Sequence, residues 1–228
     1  AAFDARSLVH MPAADDRARF AKAIDEYLAS LRYNADRPEA QTELGGYHLA
    51  RGEAAAAAAA YRRALALDPT YAAASVNLAD LLRGMGRERE AEAALRDAIR
   101  ADPTAAAPRH ALGLSLVRQK RTQEALAALG EAARLAPDDA RFAYVLGVAQ
   151  YDAGRRADAM KTLDAALARH PYDREILVAL ASYERGAGNL AKAAQRAKLL
   201  ASLEPDDPSL AQLARELEGA AARAGAKR

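Results

Sequence analysis

Cysteine and tryptophan are both absent from these 228 residues, and Phe and Met occur three times each. Without cysteine there is no disulfide framework, no thiolate nucleophile and no thiolate metal site, and cysteine usage points to no redox compartment. An excess of one charge sign is missing too: the formal net charge is +2, too small by itself to indicate a nucleic-acid partner. No apolar run reaches membrane-spanning length, and no basic, apolar, small-residue series marks a signal peptide. The chain opens Ala1-Ala2-Phe3 without Met, which reads as a processed or excised piece of something longer. What is plentiful is alanine: hydrophobic residues make up 51% of the chain, but aromatics only 5%. Such a composition suits helices that approach closely across thin side-chain layers.

A fixed period organises the chain. Pro69, Pro103, Pro137, Pro171 and Pro205 recur every 34 residues. The same step links Leu44, Leu78, Leu112, Leu146 and Leu180, and it links Ala57, Ala91, Ala125, Ala159 and Ala193 without substitution. A third register holds only small residues: Gly45, Ala79, Gly113, Gly147 and Ala181. Within a unit the Leu and the small residue share one apolar-periodic stretch, and the Ala opens a second, so each unit is two helices. Small residues on both let the backbones close up, with the Leu filling the space beside them. Between the two helices stand Gly52, Gly86, Lys120, Gly154 and Gly188, where a left-handed residue commonly ends a helix and Gly alone has no steric cost.

This pattern resembles the tetratricopeptide repeat, whose helix-turn-helix unit has this length, a Leu-Gly pair, a later Ala and aromatic, and a closing Pro. The resemblance covers five units, 38–71, 72–105, 106–139, 140–173 and 174–207. It implies an all-α fold, a right-handed α-α superhelix or solenoid. The large aromatic that the family places four residues into the unit is replaced by Gln41, Ser75, Arg109, Ala143 and Leu177. The later aromatic position reads Tyr61, Leu95, Leu129, Leu163 and Ala197, and Leu200 stands where other units have Ala64, Ala98, Ala132 and Ala166. The fifth unit is therefore expected to pack differently.

Ahead of the array, 1–15 reads as a linker or the end of a preceding region, with Asp15 or Asp16 as a cap. Residues 16–35 then form the second helix of a half-repeat, Ala23 and Tyr27 falling one period before Ala57 and Tyr61. Pro38 suits a first helical turn, as does Pro108. Asp68, Asp139 and Asp173 are placed to cap first helices. Residues 208–223 read as a capping helix that covers unit five with Leu210, Leu213 and Leu217, and 224–228 as a disordered tail.

Catalytic and metal chemistry finds little support. His10, His48, His110 and His170 occupy different phases of the unit and form no i, i+4 pair. Gly84-Met85-Gly86 belongs to a helix turn, not to a phosphate loop after a strand. Serine-elbow and Ser-x-x-Lys motifs are missing. The expectation is no enzyme, no metal and no cofactor. Charge is ordered: turns inside units carry Arg51, Arg83, Arg87, Arg118, Lys120, Arg121, Arg155, Arg156 and Arg185, and turns between units carry acids from Asp68 to Asp207. Helix-dipole complementarity explains such a pattern, and an acidic partner steered to the basic edge is the alternative.

The resemblance implies a concave groove lined by the first helix of each unit. Carried over, the groove set comprises Asn77, Asp80, His110, Leu114, Arg141, Tyr144, Val148, Tyr151, Val178 and Ser182, with Asn77 positioned to bond a bound peptide's backbone. Positions that in chaperone-binding members grip a terminal carboxylate are Thr42, Gly46, Asn77, Ala107 and Ala111, so such a clamp is not expected. The function implied is a non-catalytic protein-protein interaction scaffold that binds an extended or helical peptide segment, with no nucleic acid and no membrane insertion. One alternative is a repeat appendage of a larger envelope redox protein, because LRYNADRPEAQTELGGYHLARG resembles the tetratricopeptide tails of bacterial multi-haem cytochrome proteins. That would place the chain in the periplasm; otherwise cytoplasm and periplasm are both open. The other is a nucleic-acid binder using the basic edge, against which the groove lacks a cationic stripe with interleaved aromatics.

Overall fold

The computed structural model describes residues 14–225, and among them the secondary structure is helical, with no strand. Most of the stretch read as a linker lies outside the described residues. Helix α1 (Ala14–Tyr33) already includes Asp15 and Asp16, so these sit in its first turn and not ahead of it. Five helical hairpins follow: α2 (Pro38–Ala50) with α3 (Ala54–Leu67), α4 (Ala72–Gly84) with α5 (Glu88–Ala101), α6 (Ala106–Arg118) with α7 (Thr122–Leu135), α8 (Ala140–Asp152) with α9 (Arg156–Arg169), and α10 (Arg174–Gly186) with α11 (Leu190–Leu203). Helix α12 (Pro208–Gly225) ends the described chain and runs past the expected end at 223. The chain divides into two compact units, Ala1–Ser115 and Leu116–Arg228.

Each hairpin turn has one geometry. The N–H of the left-handed residue donates to a carbonyl three residues back, as in Gly52 to Leu49 at 2.9 Å and Lys120 to Val117 at 2.9 Å. The next N–H reaches five back, as in Glu53 to His48 at 2.9 Å and Arg121 to Leu116 at 2.9 Å. This closes the last turn in the Schellman manner and satisfies otherwise orphaned carbonyls. Gly52, Gly86, Gly154 and Gly188 have φ from 74° to 78°, and Lys120 adopts the same conformation at 60°.

The Ala register is invariant because it is tightly packed: Ala57, Ala91, Ala125, Ala159 and Ala193 are all buried. The small-residue register has the same cause. A Cβ at Gly45 would lie 2.4 Å from Cε1 of Tyr61, and one at Gly147 would lie 2.6 Å from Cγ of Leu163. Where the family has its early aromatic, three units put polar side chains that satisfy backbone carbonyls. Gln41 Nε2 donates to Ala35 O at 2.7 Å, Ser75 Oγ to Ala72 O at 2.8 Å and Arg109 Nη1 to Ala105 O at 2.7 Å. Burying a polar group is tolerable only with such a partner.

In the second unit, the small Ala197 lies with Ala193 and Ala194 against Ala214 and Leu217 of α12, while Leu200 joins Leu163, Leu177, Leu180 and Leu210 in a neighbouring apolar cluster. The fifth hairpin thus replaces one large side chain on its second helix by another, displaced by one helical turn. On α12 itself, Leu210 and Leu217 are buried and Leu213 is half-buried.

The aspartates divide into two roles. Asp139 caps α8 by accepting from Arg141 N at 3.0 Å, and Asp173 caps α10 by accepting from Ile176 N at 2.9 Å. Asp68 does not cap α4, whose N-cap position is Tyr71. It folds the connection itself, accepting from the Thr70 N–H at 2.8 Å and hydroxyl at 2.7 Å. Two intervening residues place Asp68 too early to reach the α4 amides.

Candidate functional site

The side chains carried over to the groove fall in both compact units. In the first, Asn77 and Asp80 are exposed, one turn apart on α4, and Asp80 faces Arg83 with Oδ1 3.5 Å from Nε. Leu114 is half-buried on α6. His110 departs from expectation: it is only 6% exposed, and Pro108 and Leu112 beside it are buried as well.

The second unit holds an aromatic cluster. Tyr144 and Tyr151 lie two turns apart on α8 with Val148 between them, all three half-buried, and Arg141 is exposed at the start of the same face. Tyr183 of α10 stacks on Tyr151 with ring centroids 3.6 Å apart and planes at 4°. The Arg156 guanidinium lies 5.7 Å from the Tyr151 centroid, within cation–π range. Tyr144 and Tyr183 also pack against the apolar cluster around Leu177 and Leu180. Burial first, then the Asp152 carboxylate and the two other tyrosines, push the Tyr183 hydroxyl above its usual range. Val178 and Ser182 are exposed on α10.

Tyr183 is the residue sequence reasoning missed. It stands tenth in its unit, outside the carried-over positions, but Tyr151 is the twelfth of the preceding unit. An aromatic at position ten following one at position twelve is the signal that would have found it.

Three of the turn arginines are held by acids of the helix that follows. Arg87, Arg121 and Arg155 occupy N-cap positions, and each pairs with an acid three residues on: Glu90 at 2.6 Å, Glu124 at 2.6 Å and Asp158 at 2.7 Å. The acid sits in the first helical turn, where the helix dipole favours it, and the arginine neutralises it. Arg83, Arg118 and Arg185 stand in the last turns of first helices, where the dipole favours a cation, so the turn bases serve both helix ends.

Among the described residues no group of three or more His, Asp or Glu side chains is arranged to hold a metal, and no helix is long and apolar enough to cross a membrane. Sequence models of the Tetratricopeptide repeat match residues 9–72, 110–174 and 144–208, and a second model of that description matches 48–113. The chain belongs to the tetratricopeptide repeat family. No curated protein matches it in sequence. Among solved structures, a chain described as Pseudomonas aeruginosa pilF is 25% identical with a TM-score of 0.64, covering 86% of this chain and 91% of that one. MamA is 20% identical at a TM-score of 0.60, covering 75% and 94%. YrrB, described as a TPR protein with an unusual peptide-binding site, is 20% identical at 0.57, covering 85% and 97%. These likenesses establish the TPR solenoid fold, whose family is one of protein-interaction scaffolds.

Proposed function

We propose that this TPR protein is a non-catalytic scaffold that binds an extended or helical segment of a partner protein on the faces of its first helices. The observation that carries the reading is the half-buried cluster of Tyr144, Tyr151 and Tyr183, with Arg141, Val178 and Ser182 exposed on the same two helices. Tyrosine offers a large, stiff contact area with a hydroxyl at its rim, and aromatic and Arg residues are enriched in protein interfaces. The stacking of Tyr151 on Tyr183 fixes two of the rings before any ligand arrives, which lowers the ordering cost of binding. Asn77 and Asp80 on α4, with Leu114 on α6, form a second, more polar set suited to the backbone of a bound segment. The peptide-binding site named in the description of YrrB accords with such a use of the fold.

The test is affinity capture followed by rebinding of the purified partner segment. Tyr144→Ser should weaken it at least tenfold, about 1.4 kcal/mol, with the helical circular dichroism retained. Unchanged affinity in Tyr144→Ser and in Arg141→Ala would defeat the proposal.

A further inference from the structure

At the C-terminal end of the second unit, α10 and α12 enclose a cavity of about 370 Å³ that rests on the scaffold reading for its use; it shares Val178 and Ser182 with the proposed binding face but none of the three tyrosines. Its floor is apolar, with Leu200, Leu210 and Leu217 buried and Leu213 half-buried. Val178, 41% exposed, forms part of its wall. Along α10 the exposed residues Arg174, Val178, Ser182 and Arg185 follow one another at helical spacing on a single face.

The two ends differ in charge. Arg174 Nε is paired to Glu204 Oε1 at 2.5 Å, and Asp207 lies at the same end. The Asp207 carboxylate accepts from the Ser209 hydroxyl and amide and is held below its usual range by them and by Arg174, so one guanidinium faces two carboxylates and this end is net negative. At the other end Arg185 is exposed, and its guanidinium has no hydrogen bond or ion pair among the described residues. Eleven residues of helix separate the two arginines, roughly 16 Å at 1.5 Å per residue. An extended segment spans that in about five residues.

From this charge complementarity we infer that the pocket takes a partner segment with an apolar side chain of leucine size at its centre, an acidic residue two positions to one side and a basic residue two positions to the other. The apolar side chain enters between Val178 and Leu213, the acid meets Arg185, and the base meets the Asp207 end.

The experiment uses the full chain and a fluorescein-labelled Lys-Ser-Leu-Ser-Asp peptide, followed by fluorescence anisotropy. Expected are at least tenfold weaker binding when Leu becomes Ala, when the charged residues become Gln and Asn, and in Val178→Glu. Arg185→Glu should lose the probe and gain a Lys-Ser-Leu-Ser-Lys peptide; both changed positions are exposed, and circular dichroism checks the fold. Equal binding of charged and neutral peptides, or no response to either substitution, overturns the inference. So does self-association abolished by Val178→Glu, which would assign the face to a second copy. A natural partner lost in Tyr144→Ser but retained in both pocket variants would remove the pocket and leave the scaffold reading intact. Probe binding that persists in Tyr144→Ser, beside an unaffected natural partner, would remove the tyrosine site and support the pocket.

Discussion

Lys120 bears a conformation that the other four hairpin turns assign to glycine, with φ of 60° and the same two closing hydrogen bonds. A side chain there meets the following carbonyl, at a cost of about 1 kcal/mol or more. Lys120→Gly removes that strain but frees the unfolded chain, which offsets about 0.4–1 kcal/mol. The melting temperature should therefore stay level or rise by up to about 3 °C, as expected for a chain of this size. A clear drop, measured by thermal circular dichroism, would mean that the lysine side chain makes a contact worth more than its strain. The 34-residue register made this turn legible from sequence, because four glycines at one phase define a backbone conformation that the fifth residue must share. Registers report the backbone well. They report side-chain surroundings poorly: His110, at a carried-over groove position, is only 6% exposed, and Tyr183 stacks on Tyr151 from one residue off those positions.

At the level of helix pairs, one register shows what happens when a buried position turns polar. Leu82 and Leu116 are buried there, and Gln150 accepts a hydrogen bond from the Thr162 hydroxyl at 2.8 Å. In the fifth hairpin the residue is Glu184, fully buried, with neither carboxylate oxygen hydrogen-bonded. Arg196 stands opposite, one period after Thr162, but its Nη2 pairs with Asp164 at 3.0 Å and its Nε has no hydrogen-bond partner. Burial raises the Glu184 carboxyl; Asp164 pushes the same way, and Arg196 and Lys192 oppose. A carboxyl raised in the folded state favours folding below its unfolded value and loses that contribution as pH rises through the folded one. Glu184→Gln removes the loss. Gln is neutral at both pH values, so the variant's unfolding free energy should exceed wild type at pH 7 in a denaturant titration, and the difference should shrink toward pH 4. A variant less stable than wild type at pH 7 would show that Arg196 and Lys192 hold the carboxylate more strongly than burial opposes it. The register His48, Leu82, Leu116, Gln150 and Glu184 is legible in the sequence, but that its last member lacks a hydrogen-bond partner is visible only once the helix pair is built.

Among the described residues, most ion pairs are short-range and exposed, and Arg174–Glu204, Arg196–Asp164 and Lys198–Glu218 are the longer-range ones. Arg87–Glu90, Arg121–Glu124, Arg134–Glu131 and Arg155–Asp158 are spaced three apart within one helix or its cap, and the partners are largely open to solvent. Each such pair contributes between nothing and about 1 kcal/mol. A chain of net charge +2 also has little self-repulsion for salt to relieve. Salt therefore weakens many small attractions without a large opposing gain. Raising NaCl from about 0.05 M to 0.5 M, which shortens the screening length to under about 10 Å, should lower the stability of the array only slightly, by about 1 kcal/mol or less in a denaturant titration. Binding at the C-terminal pocket depends on Arg185, which is not already neutralised, so the same salt step should weaken the Lys-Ser-Leu-Ser-Asp probe severalfold. The contrast separates two uses of charge in one molecule: arginines spent on local acids hold the turns, and only those left over can recognise a partner. A steep loss of folding stability with salt would instead show that the turn pairs act as a network, and would remove the ground for treating Arg185 as different in kind.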